Sequence, residues 1–114
     1  MADLLEITEK KLEEKLAEDI TVIDMRDVNP FTDYFVIATA RNPRHADSLA
    51  EEVIKASEEA GFTLRTREGA EGSTWILVDF NEVIVHIFTE EARSLYKLEN
   101  LWGDLPISHY PSAD

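Results

Sequence analysis

The chain contains no cysteine, which excludes a disulfide framework and any thiolate metal site and agrees with a reducing compartment. Glycine and proline are scarce, four of each, and no internal repeat or low-complexity linker appears. Basic residues are also few, 11 against 24 acidic ones, for a formal net charge of −13. A surface that tracks phosphates needs clustered Lys and Arg to release counterions, so direct nucleic-acid binding is disfavoured. A basic protein partner is favoured instead, because complementary charge speeds encounter and orients docking. Strong acidity is also common in freely soluble proteins with no such partner. No apolar run approaches membrane-spanning length. Residues 1–16 lack an apolar signal core and are too acidic for an organellar transit peptide, so a bacterial cytosolic protein is the simplest reading.

With 114 residues and 44% hydrophobic content, the chain fits one domain around one core. Its most informative stretch runs from Trp75 to Trp102. Trp75 to Phe80 and Glu82 to Phe88 are rich in β-branched and aromatic residues and flank a polar turn at Asn81, which predicts hairpin-linked strands. Alternation puts Trp75, Leu77 and Asp79 on one face and Ile76, Val78 and Phe80 on the other. Both faces are largely apolar, so both are expected to be covered. Thr89 stands as an N-cap with Glu90 and Glu91 in the first turn of a helix, where the dipole favours negative charge. Carried on at the helical period, that helix places Leu95, Tyr96, Leu98, Leu101 and Trp102 over more than half its circumference, with Glu99 inside the apolar arc. A buried carboxylate there needs a cation or hydrogen-bond donors. Two readings of the excess apolar surface stand side by side: contact with something besides the core, or a groove of the helix's own domain.

Earlier in the chain, Asp3 with Glu6 marks an N-cap, and Leu5, Leu12 and Leu16 recur at helical spacing. Ile20 to Met25 and Tyr34 to Thr39 read as strands separated by an Asn29-Pro30 loop. Asn42-Pro43 starts a helix through Ala46, Leu49, Ala50, Val53, Ile54 and Ala60 that Gly61 ends. Phe62 to Arg67 is a short, charged strand suited to a sheet edge, and Glu68 to Ser73 a loop. The result is an α/β (α+β) fold with a mixed five-stranded sheet flanked by helices. Residues 1–102 form the domain, and 103–114, with two prolines and small polar residues, form a loosely ordered C-terminal tail.

Several segments carry a family likeness: Asp24-Met25-Arg26, Thr32-Asp33-Tyr34-Phe35-Val36-Ile37-Ala38, Glu68-Gly69, Trp75 with Asp79, Val85-His86-Ile87-Phe88, and Arg93 through Tyr96-Lys97-Leu98-Glu99-Asn100-Leu101-Trp102. In that order and spacing they closely resemble the ribosomal silencing factor family, also called RsfS or Iojap, over nearly the whole chain up to Trp102. The chain departs from the family pattern at Ala40, where glycine is frequent, at Asn29-Pro30-Phe31, which replaces a serine-led turn, and in its tail. The resemblance implies a nucleotidyltransferase-like fold. It also implies a docking surface for large-subunit ribosomal protein L-fourteen, matched here by Trp75, Asp79, Arg93, Tyr96, Leu98, Glu99 and Trp102, with contacts and supports not distinguished.

A nucleotidyltransferase-like fold raises phosphoryl transfer, which needs neighbouring carboxylates for magnesium and a phosphate cradle at a helix N-terminus. Asp24 and Asp27 point to no common metal, and Gly72-Ser73 precedes a strand instead of opening a helix. Fold without the site does not carry the activity. His86, mid-strand with Ile84 and Phe88 on its face, reads as a hydrogen-bonded core histidine rather than a base. His45 and Asp47 are too sparse a pair to hold a metal. Glu51-Glu52 and Glu58-Glu59 read as a solvated helix face. The expectation is therefore a non-enzymatic factor without metal or cofactor. It binds the large ribosomal subunit through L-fourteen and blocks joining of the small subunit, in the cytoplasm, contacting neither nucleic acid nor membrane directly. A homodimer through the same patch would cover it when the partner is absent. The alternatives are a large-subunit assembly factor using the same surface and a degenerate nucleotidyltransferase that binds nucleotide.

Overall fold

The computed structural model describes residues 3–70, 72–97, 100–101 and 104–110. Helix α1 (Leu4–Glu14) opens on Asp3, whose carboxylate accepts from the Glu6 amide at 2.8 Å. It buries Leu4, Thr8 and Leu12, one residue per turn. Leu16 does not continue that stripe. It lies beyond the helix end with φ +68 and is exposed.

Strand β1 (Glu18–Asp24) pairs antiparallel with β2 (Tyr34–Ala40), with an irregularity between Glu18 and Thr21 at Asp19, whose φ is +52. Helix α2 (Pro43–Glu59) carries the punctuation read from the sequence. The Asn42 side chain accepts from the His45 amide at 2.7 Å, and Pro43 opens the first turn. Ala46, Leu49, Ala50, Val53 and Ser57 are buried, and the helix closes before Gly61 at φ +98. Strand β3 (Thr66–Glu68) is shorter than the Phe62–Arg67 expectation; Phe62 and Leu64 pack on the core ahead of it. Strands β4 (Trp75–Asp79) and β5 (Val83–Thr89) form the expected hairpin, with Asn81 at φ +77 in the turn.

Helix α3 (Glu90–Tyr96) differs from expectation in length and in its cap. It ends at Lys97, in the left-handed region at φ 45 and ψ 50, so the apolar period continues past the point where the helix stops. Thr89 occupies the N-cap position but its side chain makes no capping hydrogen bond. From there the chain turns back to the sheet. Leu105 packs against the cluster that contains Ile23 and Met25, the Asp24 amide donates to the Pro106 carbonyl at 2.9 Å, and β6 (Ile107–Tyr110) pairs antiparallel with β1.

The sheet thus has six strands where five were expected, in the order β3-β4-β5-β2-β1-β6. Only β2 and β5 run parallel; the other neighbours are antiparallel, so the sheet is mixed. The sixth strand comes from the segment assigned to the tail. Ile107, Ser108 and His109 are exposed and Tyr110 packs on the larger core cluster, so main-chain pairing with β1 and that one ring recruit the strand. Helices α1 and α2 cover one face, over Ile20, Val22, Val36, Ala38, Ile76, Val78, Val83, Val85 and Ile87. The opposite face holds a smaller cluster of Ile23, Met25, Ile37, Phe88 and Ala92. The described part of the chain on that side is α3 and Leu105, and Phe35, Leu77 and Ile84 remain partly exposed.

Candidate functional site

Strand alternation builds the site on the face away from α1 and α2. Trp75 and Leu77 of β4 stand opposite Phe88 and His86 of β5, and Phe35 and Ile37 of β2 lie beside Ile84 and His86. Trp75 is the hub. Its ring centroid lies 4.9 Å from Phe88, 4.9 Å from Tyr96 and 5.9 Å from His86, with Phe35 5.1 Å from His86 on the far side. These separations are those of favourable tilted aromatic pairs. Tyr96 is nevertheless 50% exposed, and Leu95 and Leu101 are 76% and 70% exposed. Apolar side chains close in sequence to Tyr96 therefore face solvent, and Tyr96 itself lies on the aromatic cluster.

Gly69 supports Trp75 from the preceding loop. Its φ is +97, and a Cβ there would stand 2.7 Å from the Trp75 carbonyl oxygen. Only glycine meets both conditions. A depression of about 350 Å³ lined by Glu68, Gly69, Trp75 and Leu77 opens at this point.

His86 is buried, and its Nδ1 accepts from the Trp75 indole N–H at 3.2 Å. That bond places the ring proton on Nε2, a buried atom without a hydrogen-bond partner among the described residues. Burial holds the imidazole down at about 4, outweighing the opposing pull of the Asp79 charge. The ring is neutral at physiological pH, as befits a core histidine.

The remaining residues expected at the site divide by what they already bind. Asp79 lies at the other end of β4 from Trp75. One of its oxygens accepts from the Asn81 amide at 2.7 Å and the other from Arg65 at 3.3 Å, so its carboxylate ties the hairpin turn. Arg93 points into the fold: its guanidinium donates to the Asp19 carbonyl, to the Thr39 hydroxyl at 2.9 Å and to the Thr21 hydroxyl at 2.7 Å. Leu98, Glu99 and Trp102 lie outside the described residues. The structure thus brings Trp75 and Tyr96 together, turns Arg93 of the same helix onto β1 and β2, and sets Asp79 apart. Phe35, Phe88, Thr21 and Thr39 belong to the same constellation and were not singled out as site residues. The alternation that pairs His86 with Phe88 carried a signal for the aromatics, whereas nothing local marked the two threonines.

Elsewhere, both Asp24 oxygens are engaged by Arg26, at 3.0 Å from Nε and 2.7 Å from Nη2, and Arg26 lies over the Tyr34 ring. The guanidinium holds the Asp24 carboxyl down at about 2. A cleft of about 780 Å³ sits at the C-terminal ends of the parallel pair, lined among others by Arg41, Asn42, Thr89, Glu90 and Glu91. An entering phosphate would meet two carboxylates for one guanidinium there.

The comparisons with known proteins agree with this architecture. The family model described as "Ribosomal silencing factor during starvation" matches residues 1–114. The ribosomal silencing factor RsfS of Bacillus subtilis is 35% identical over 105 residues, which is 92% of this chain and 89% of that protein. The Haemophilus influenzae protein of the same name is 34% identical over 88% of this chain and 98% of its own length. The mouse protein named "Mitochondrial assembly of ribosomal large subunit protein 1" is 32% identical over 80% of this chain and 41% of its own length. A crystal structure of a Chromobacterium violaceum protein superposes with a TM-score of 0.83 at 30% identity, covering 90% of this chain and 88% of that one.

Proposed function

The chain belongs to the ribosomal silencing factor family, and on that premise we propose that it binds the large ribosomal subunit through ribosomal protein L-fourteen and sterically blocks joining of the small subunit. The observation that carries the reading is the Trp75–Tyr96 contact on a partly uncovered sheet face, with exposed Leu95 and Leu101 close to Tyr96 in sequence, in a chain of net charge −13. Rigid aromatics with an apolar border are the usual energetic centre of a protein interface. An acidic chain suits a basic ribosomal protein better than it suits RNA. Trp75 and Tyr96, with Leu98, Glu99 and Trp102 following in sequence, are the proposed contacts; Asp79 and Arg93 are the proposed supports.

The mechanism needs no chemistry, cofactor or metal. Occupancy of the joining face lowers the concentration of large subunits free to associate, an equilibrium competition set by affinity and concentration. The corresponding compartment is the bacterial cytoplasm. When the partner is absent, a second copy docked through the same patch would cover Leu95, Tyr96 and Leu101.

The name of the mouse relative favours a second reading, in which the same surface engages immature large subunits during assembly. Order of addition separates the two. Added to purified mature subunits before they meet, the protein should reduce assembled ribosomes saturably, and added after joining it should act much more weakly. Unchanged ribosome yield at saturating protein, with binding to L-fourteen retained, would reject the block on joining. Association with immature particles alone would support the assembly role.

A further inference from the structure

We infer that Arg93 is a positioning residue: its guanidinium latches α3 onto the bulged start of β1 and the end of β2, and thereby holds Tyr96 against Trp75. The helix has little else to hold it among the described residues. It is seven residues long, its first turn lacks a side-chain cap, and its one buried side chain is Ala92. Helices this short are unstable on their own and take their order from tertiary contacts.

Arg93 supplies such contacts. The irregular pairing at Asp19 leaves that residue's carbonyl available to the guanidinium, and the hydroxyls of Thr39 and Thr21 take its Nη1 and Nη2 donors. A planar fork reaches acceptors on two strands at once, which a lysine ammonium on its flexible stem does not reproduce. Arg93 and Tyr96 are three residues apart on α3 and share a face, so fixing the first fixes the second. Tyr96 then lies 4.9 Å from Trp75 and 6.0 Å from Phe88. The Thr21 hydroxyl also meets His109 Nδ1 at 3.3 Å, so β6 joins the same network. Arg93 therefore acts through the aromatic pair rather than by touching a partner.

The inference rests on the proposal that Tyr96 contacts the partner, and its test separates the two. The first measurement needs no partner. In R93Q and R93K, the NMR resonances of the Trp75 indole, assigned with W102F, should move away from their parental shifts while those of α2 stay in place. The double variant T21V/T39V, which keeps Arg93 and removes two acceptors, should move them in the same direction and serves if R93Q does not fold. Unmoved Trp75 resonances in a folded variant would overturn the latch. The second measurement is a double-mutant cycle on L-fourteen binding. R93Q should weaken affinity about tenfold, and R93Q/Y96A should bind no more weakly than Y96A. Losses that multiply would overturn the inference by giving Arg93 a contact of its own. Unchanged affinity in Y96A would instead reject Tyr96 as a contact, and the Trp75 resonances would still decide the latch.

Discussion

The Trp75 indole N–H donates to His86 Nδ1 at 3.2 Å, across the β4–β5 pair and two residues out of register, since Trp75 stands opposite Phe88 and His86 opposite Leu77. The bond locks the orientation of the side chain at the hub of the aromatic cluster and selects the Nε2–H form of the imidazole. It also joins the stability of the domain to the protonation of one buried ring.

A folded-state value of about 4, against an ordinary 6.5, means that the unfolded chain takes up the His86 proton first as pH falls. The unfolded state binds more protons across that window, so stability should decline between pH 6.5 and 4 and level off below it for this group. At about 1.4 kcal/mol per unit, the loss amounts to at most roughly 3 to 4 kcal/mol. Asp24, held at about 2, adds its own loss only at lower pH. Urea denaturation of the parent and H86Q across this range checks the assignment: the variant should show the flatter profile, and parallel profiles would remove His86 as the source.

Truncating the aromatic pair should cost binding without unfolding the domain. W75A and Y96A are each expected to weaken L-fourteen binding by about 1 to 4 kcal/mol, measured by calorimetry on variants of parental far-UV spectrum. W75F should lose less, because it keeps a ring between Phe88 and Tyr96 and forfeits only the donor to His86. Parental affinity in folded W75A and Y96A would dismiss this face as the site.

Gly69 is expected to be intolerant out of proportion to its loop position. G69A forces a Cβ against the Trp75 carbonyl and imposes a left-handed conformation on alanine, a combined cost of roughly 1 to 3 kcal/mol. Thermal denaturation should show the loss together with a changed near-UV signal from the shifted indole. An equally stable G69A would mean that the loop relaxes freely away from β4.

Asp79 separates support from contact. D79N keeps an acceptor for the Asn81 amide and gives up an ion pair with a largely exposed Arg65, worth at most about 1 kcal/mol. D79A leaves the turn amide without its acceptor and should cost about 1 to 2 kcal/mol more in stability. If Asp79 is a support, D79N should bind L-fourteen like the parent; a large loss of affinity in stable D79N would make it a contact.

Much of the fold and part of the candidate site's geometry were legible in the linear sequence, and for a common reason. The β4–β5 hairpin, the faces of Trp75 and Ile76, the two ends of α2 and the edge position of β3 all follow from alternation, caps and turn residues within a few positions of each other. The sequence also carried the family, because the motifs through Trp102 keep their order and spacing. Tertiary structure decided the rest. Where α3 stops at Lys97, how Ile107–Tyr110 becomes a strand on β1, and why Leu16 lies outside the α1 stripe are settled by partners remote in sequence or by backbone conformation that apolar spacing does not encode. Arg93 is the clearest instance. Its acceptors Thr39 and Thr21 are 54 and 72 residues away, brought to one spot only when β1, β2 and α3 assemble, and a polar fork has no periodicity that would announce them beforehand.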